Sequence, residues 1–251
     1  MEKNKVLKVI RIIIAVAVWL IITKLYGAFL DPLWEGRIPV IIRMILSSMV
    51  VPYTLGLGAF YIIVRGMPEA CKKDSKTMNL FKCFIIQTGI SFPCLMFVNF
   101  IVKILGIETP GITSEELFGH LWFYIILLLI FNPVMEELLF RKFVLERLGF
   151  LGIKGTIICS AVLFALPHLI SQGPAQVLYT FALGLVWAYV TLKTGKLWPA
   201  IILHSLSNIY CAYIPMAASN ISPLASVAYA GFTMLIIMPV AIVLLVKEFK
   251  L

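Results

Sequence analysis

The chain has 251 residues and a formal net charge of +9; it is 61% hydrophobic and only 13% charged, where a soluble domain carries about 25% charged residues. So little charge cannot cover a water-facing surface. A basic chain reads as nucleic-acid binding only where a soluble module presents a basic face, and no such module is present, so no nucleic-acid partner is expected.

Crossing the hydrocarbon layer takes about 20 apolar residues per helix, and in lipid each backbone N–H and C=O needs an internal partner. The apolar runs here lack the alternation of a membrane barrel, so the expected class is an all-α membrane protein, a bundle of about eight transmembrane helices. In chain order the spans are expected at about 6–28, 39–64, 80–104, 117–140, 153–171, 174–193, 197–217 and 223–246. The first run follows a basic start, as a signal peptide does, but lacks a convincing small-residue cleavage site and is long enough to span, so it is expected to be retained. No fixed repeat, low-complexity tract or hydrophilic linker divides the chain, which reads as a single polytopic domain over residues 1–251. Cys71, Cys83, Cys94, Cys159 and Cys211 fall mostly in apolar runs without C-x-x-C spacing and are expected to be reduced packing residues.

An even number of spans puts both termini on one side, and the connections test the count, because cytoplasmic loops collect Lys and Arg. One side receives Lys3, Lys5, Lys8 and Arg11, then Arg65, Lys72, Lys73, Lys76 and Lys82. To these it adds Arg141, Lys142, Arg147 and Lys154 in the fourth loop, Lys193 and Lys196 in the sixth, and Lys247 and Lys250 in the tail, making seventeen of the 21 basic residues. The other side has Lys24, Arg37, Arg43 and Lys103, while the fifth and seventh loops carry no formal charge. The expected placement is a multi-pass cell-membrane protein with both termini cytoplasmic. Pro52, Pro93, Pro133 and Pro167 lie within or near spans, where proline frees a carbonyl and kinks a helix.

Ionisable side chains at membrane depth disfavour insertion by about 2.5–3.5 kcal/mol each and are functional candidates by default. The first cluster runs from Asn132 and Pro133 to Glu136, Glu137 and Arg141; the second is Phe164 with His168; the third is His204 with Asn208. Each has a plainer reading. Glu137 and Arg141 could be a helix-surface pair, His168 a histidine bonded to a carbonyl, and His204 with Asn208 polar glue between helices. His120, near a helix start on the outer side, is assigned no role.

Taken together, the clusters converge. The fourth and fifth spans are antiparallel about the turn at Gly149–Gly152, with Glu136 15 residues before Leu151 and His168 17 after it. Both therefore sit some 20–25 Å along their helices, at about 1.5 Å per residue. His204 and Asn208 lie 9 and 13 residues beyond Gly195, so all three clusters can reach one inner cavity. Burial raises a carboxyl pKa, and a nearby imidazole or Arg pulls it back toward a usable base. A water held between Glu136 and His168 could attack a peptide carbonyl, with the His204 imidazole and the Asn208 amide as donors to the oxyanion.

At these residues the sequence resembles the CPBP family (Abi family), bacterial relatives of the type II CAAX prenyl endopeptidase. The motifs are Glu136-Glu137-x-x-x-Arg141, Phe164-x-x-x-His168 and His204-x-x-x-Asn208, in a block from about Pro133 to Asn208. The resemblance implies an intramembrane peptide hydrolase in which Glu136 and His168 activate the water, His204 and Asn208 form the oxyanion hole, and Glu137, Arg141 and Phe164 support the site. It implies no cofactor and no metal, and a peptide or membrane-protein substrate within the lipid bilayer. Many members follow the arginine with glycine, whereas Lys142 stands here. The family is also linked to bacteriocin immunity and to roles as a membrane partner. Two other readings are a non-proteolytic scaffold or immunity protein and a zinc protease using Glu136, His168 and His204, although the H-E-x-x-H helix motif is absent. A transporter should show paired broken helices in corresponding halves, and here the polar clusters crowd into the second half.

Overall fold

Continuous apolar runs become helices because only a helix satisfies its own backbone in lipid. The computed structural model describes residues 2–107 and 111–248, and no strand occurs among them. Eight helices are long and apolar enough to cross a membrane: α1 (Asn4–Trp34), α2 (Val40–Val64), α3 (Leu80–Ile104), α4 (Leu121–Arg147), α5 (Gly149–Gln172), α6 (Ala175–Thr194), α7 (Trp198–Ile221) and α8 (Pro223–Lys247). A short helix, Ser114–Gly119, precedes α4 with its first turn capped by the Thr113 hydroxyl. The protein is a multi-pass helical membrane bundle. Lys250, counted above in the basic tail, lies outside the described residues, as does the side chain of Lys3.

The bundle is built around α6, whose hydrophobic window is 67% buried, while α8 at the edge has 11% buried and turns Leu224, Leu235 and Val246 outward. α6 packs along α5, α3 and α7. Small residues allow the closest approaches, as expected where lipid supplies no hydrophobic drive between helices. A Cβ on Gly184 of α6 would stand 3.0 Å from the Ala161 Cα of α5, and one on Gly89 of α3 would stand 2.3 Å from the Ala241 Cβ of α8. All five cysteines are free, as expected.

The described spans depart furthest from the expected bounds at two helix ends. α1 runs on to Trp34, and α4 runs through to Arg147. Arg141, Lys142 and Arg147, expected in the fourth loop, are therefore helical, and Arg141 is fully buried. A charge ends a membrane helix only where it must reach water; Arg141 finds its partner inside, in Glu137 of the same helix.

At the basic end, residues 67–79 form an extended strap across the helix ends. The Ala70 amide donates to the Glu146 carbonyl (3.1 Å), the Asp74 amide to the Leu192 carbonyl (2.7 Å) and the Lys76 amide to the Lys193 carbonyl (2.9 Å). Lys73 pairs with Glu146, and Lys193 with Asp74 at 3.1 Å. Lys8 of α1 lies over the Phe150 ring, so the start of α1, the strap and the α4–α5 turn share one end of the molecule. The opposite end gathers the Ser114–Gly119 helix against α7, through a hydrogen bond from the Ser114 hydroxyl to the Asn220 side chain (2.9 Å).

Candidate functional site

α4, α5, α6 and α7 enclose a cavity of about 570 Å³. Its lining includes Glu136, Phe164, His168, His204 and Asn208 together, so the three motif clusters meet in one place. Glu137 and Arg141 do not line it; they lie behind the wall, both sealed from solvent.

The Glu136 carboxylate is the focus. Its Oε2 stands 4.0 Å from His168 Nε2 and 4.0 Å from His204 Nε2, and it is buried without a hydrogen-bond partner. Each distance is too long for a direct hydrogen bond and short enough for one bridging atom. The far side of each ring fixes its tautomer. His168 Nδ1 bonds the Phe164 carbonyl at 2.9 Å, and His204 Nδ1 bonds Glu137 Oε1 at 3.2 Å. A carbonyl and a carboxylate only accept, so Nδ1 is the donor in both rings and each neutral ring turns a lone pair at Nε2 toward Glu136. Three acceptors thus converge on one point.

The ring positions rest on a buried lattice. Trp187 of α6 stacks on His204 at 4.3 Å between centroids and 20° between planes. The Trp187 indole donates to Gln87 Oε1 (2.7 Å), and Gln87 Nε2 donates to the Leu203 carbonyl (2.8 Å), one residue before His204. Arg141 Nε meets Glu137 Oε2 at 3.0 Å, and its Nη1 donates to the Ser160 hydroxyl at 3.1 Å. The guanidinium lies over Phe164 (4.9 Å) and Trp187 (5.9 Å). Glu137 therefore holds His204 with one oxygen and Arg141 with the other; the surface-pair reading fails because both groups are interior.

Asn208 lines the cavity but is already engaged: its Nδ2 donates to the Leu128 carbonyl at 2.7 Å. Ser205, one turn earlier on α7, donates to the Leu129 carbonyl at 2.7 Å. The cause lies in α4. Pro133 has no N–H, so the carbonyls four and five residues before it, those of Leu129 and Leu128, lose the partner that an α-turn or a π-turn would bring. Helix α7 supplies donors to both. An amide nitrogen has two hydrogens, which leaves Asn208 one to offer the cavity.

The sequence alone does not single out Gln87, Trp187 or Ser160, and Ser205 and Asn132, which lie within the polar clusters, take no role from it. Gln87 was visible as a carboxamide inside the run Ile85-Ile86-Gln87-Thr88. Asn132 lies one turn before Glu136, lines the same cavity and has a buried Oδ1 without a partner. Trp187 and Ser160 carry no sequence signal beyond their polarity. Among the described residues no group of three His, Cys, Asp or Glu side chains is close enough together to hold a metal ion.

Residues 118–210 match the family model described as type II CAAX prenyl endopeptidase Rce1-like. The match takes in all three motif clusters and supports a CPBP-family intramembrane protease, a peptide hydrolase set in a membrane. No curated protein and no solved structure matches the chain.

Proposed function

We propose that this protein is an intramembrane endopeptidase that hydrolyses a peptide bond with a water activated by Glu136. The observation that carries the reading is the convergence of Glu136 Oε2, His168 Nε2 and His204 Nε2 at 4.0 Å separations, all of them acceptors when the rings are neutral. Such a set calls for a donor between its members, and a water supplies two hydrogens.

In the reaction, the water oxygen attacks the scissile carbonyl carbon and its proton passes to the Glu136 carboxylate, with His168 orienting the water through its fixed Nε2 lone pair. The carbonyl oxygen becomes an oxyanion. Asn208 offers it the free amide hydrogen, while Glu137 holds the neutral His204 ring beside the water. Collapse breaks the C–N bond, and the proton on Glu136 passes to the departing amine. Glu137, Arg141 and Phe164 are positioning residues that act through His204 and the ring stack. The reaction as written uses no cofactor or metal. The whole chain acts as one membrane domain, its basic end and both termini in the cytoplasm.

The test is comparative membrane proteomics of cells carrying the wild-type protein or Glu136→Gln. Cleavage products that depend on the carboxylate are expected; identical product sets in the two strains refute the reading.

A further inference from the structure

Beyond the motif residues, the described wall of the cavity reaches one end of the bundle. Its outer rim consists of Gly111, Ile112 and Glu116 before α4, Ser171 and Gln172 at the end of α5, and Gln176 at the start of α6. These belong to the connections poor in Lys and Arg. Toward the other end, Phe140, Val144, Leu148 and Val190 fill the space below the histidines, all of them fully buried or within 1% of it. Beyond them lies the strap, hydrogen-bonded across Glu146, Leu192 and Lys193. The wall has a matching chemical bias. Its carboxylates are Glu116 and Glu136, and no Lys or Arg is among its described residues.

We infer that the site takes its substrate from the face opposite the basic end, the outer face of the membrane, and that the substrate is an internal peptide segment, neutral or cationic, rather than a chain end with a free carboxylate. The inference rests on the proteolytic reading for the word substrate and on the basic end being cytoplasmic for the word outer. A free C-terminal carboxylate entering this cavity meets two carboxylates and no fixed cation, a like-charge juxtaposition that disfavours binding. An internal segment brings neutral amides, for which the unpartnered Asn132 Oδ1 is a ready acceptor of a backbone N–H.

The experiment uses the full chain with its five native cysteines replaced by alanine and one cysteine added: Ala212→Cys on the cavity wall, Gln172→Cys at the rim or Lys76→Cys on the strap. A membrane-impermeant maleimide is applied to right-side-out and inside-out vesicles. Ala212→Cys and Gln172→Cys are expected to label in right-side-out vesicles only, and Lys76→Cys in inside-out vesicles only. A neutral peptide amide should protect Ala212→Cys better than the same peptide as a free acid. Labelling of Ala212→Cys from the Lys76→Cys side, or from neither side while Gln172→Cys labels, overturns the entry route; equal protection by the two peptides overturns the substrate class. Glu136→Gln added to the Ala212→Cys chain leaves the labelling side unchanged, so a failure of the proteolytic reading is distinguishable from a failure of this one.

Discussion

The Asn208 amide donates to the Leu128 carbonyl at 2.7 Å, tying α7 to the stretch of α4 whose helical partner Pro133 cannot provide. The residue that the motif offers to an oxyanion is thus also a structural tie, as the reading of it as polar glue between helices expects. Asn208→Ala is expected to lose about 1 kcal/mol of stability from the freed carbonyl and, as one oxyanion donor is removed, about 10²–10³ in kcat. Thermal stability and single-turnover rates measured on one preparation separate the two effects. A rate loss no larger than that of Ser205→Ala would show that Asn208 is a tie alone.

Ser205 and Pro133 should be energetically coupled. Ser205→Ala leaves the Leu129 carbonyl without its donor and is expected to lower stability by about 1 kcal/mol, toward the upper range seen for hydrogen bonds within membranes. Pro133→Ala restores an N–H four residues beyond Leu129, so Ser205→Ala introduced into that background should be close to neutral. A double-mutant cycle in detergent reads the coupling, and additive effects would show that the carbonyl is satisfied in some other way.

Arg141→Ala should reduce the amount of folded protein before any effect on chemistry is measurable. Glu137 and Arg141 are both sealed from solvent and 3.0 Å apart, so removal of one leaves a buried charge, a change that destabilises by about 3–5 kcal/mol. Glu136→Gln is the contrast. The amide fills the space of the carboxylate without accepting the proton, so the variant should fold with wild-type yield and thermal stability and be inactive. Yield, melting temperature and cleavage rate of the two variants together check the division of labour, and an active Glu136→Gln enzyme would disprove the mechanism.

The strap should detach when its glycine seats are filled. A Cβ on Gly149 would stand 2.6 Å from the Ala70 carbonyl oxygen, and one on Gly195 would stand 2.6 Å from that of Asp74. Gly195 also has φ of 67°, which costs an L-residue about 1–2 kcal/mol before any clash is counted. In inside-out vesicles Gly195→Ala is expected to speed trypsin cleavage after Lys72, Lys73 and Lys76, and Gly149→Ala to do so less. Unchanged cleavage would show that the strap is held by its ion pairs alone.

Cleavage activity is expected to survive strong chelators, because the proposed water is polarised by a carboxylate and imidazole nitrogens. Loss of activity with chelator and its return on adding zinc would make Glu136, His168 and His204 metal ligands and overturn the mechanism.

Composition and apolar run lengths alone determined that this is a bundle of about eight membrane helices, and the spacing of Glu136, His168, His204 and Asn208 along antiparallel spans was enough to anticipate their meeting. Both are local properties: lipid obliges each segment to satisfy its own backbone, and rise per residue converts sequence distance into depth. Which way each side chain faces, and what it touches, depends on helix rotation and on partners far along the chain. Arg141 read as a loop residue because its charge is visible in sequence and its burial against Glu137, Ser160 and Phe164 is not. Gln87 reaches Trp187 across 100 residues and the Leu203 carbonyl across 116, so the lattice under His204 had no local signal. The tertiary structure alone decided that both Nε2 atoms stand 4.0 Å from one carboxylate oxygen and that the cavity wall reaches the end away from the basic one, because both depend on how the helices pack side by side and not on the pattern within any one of them.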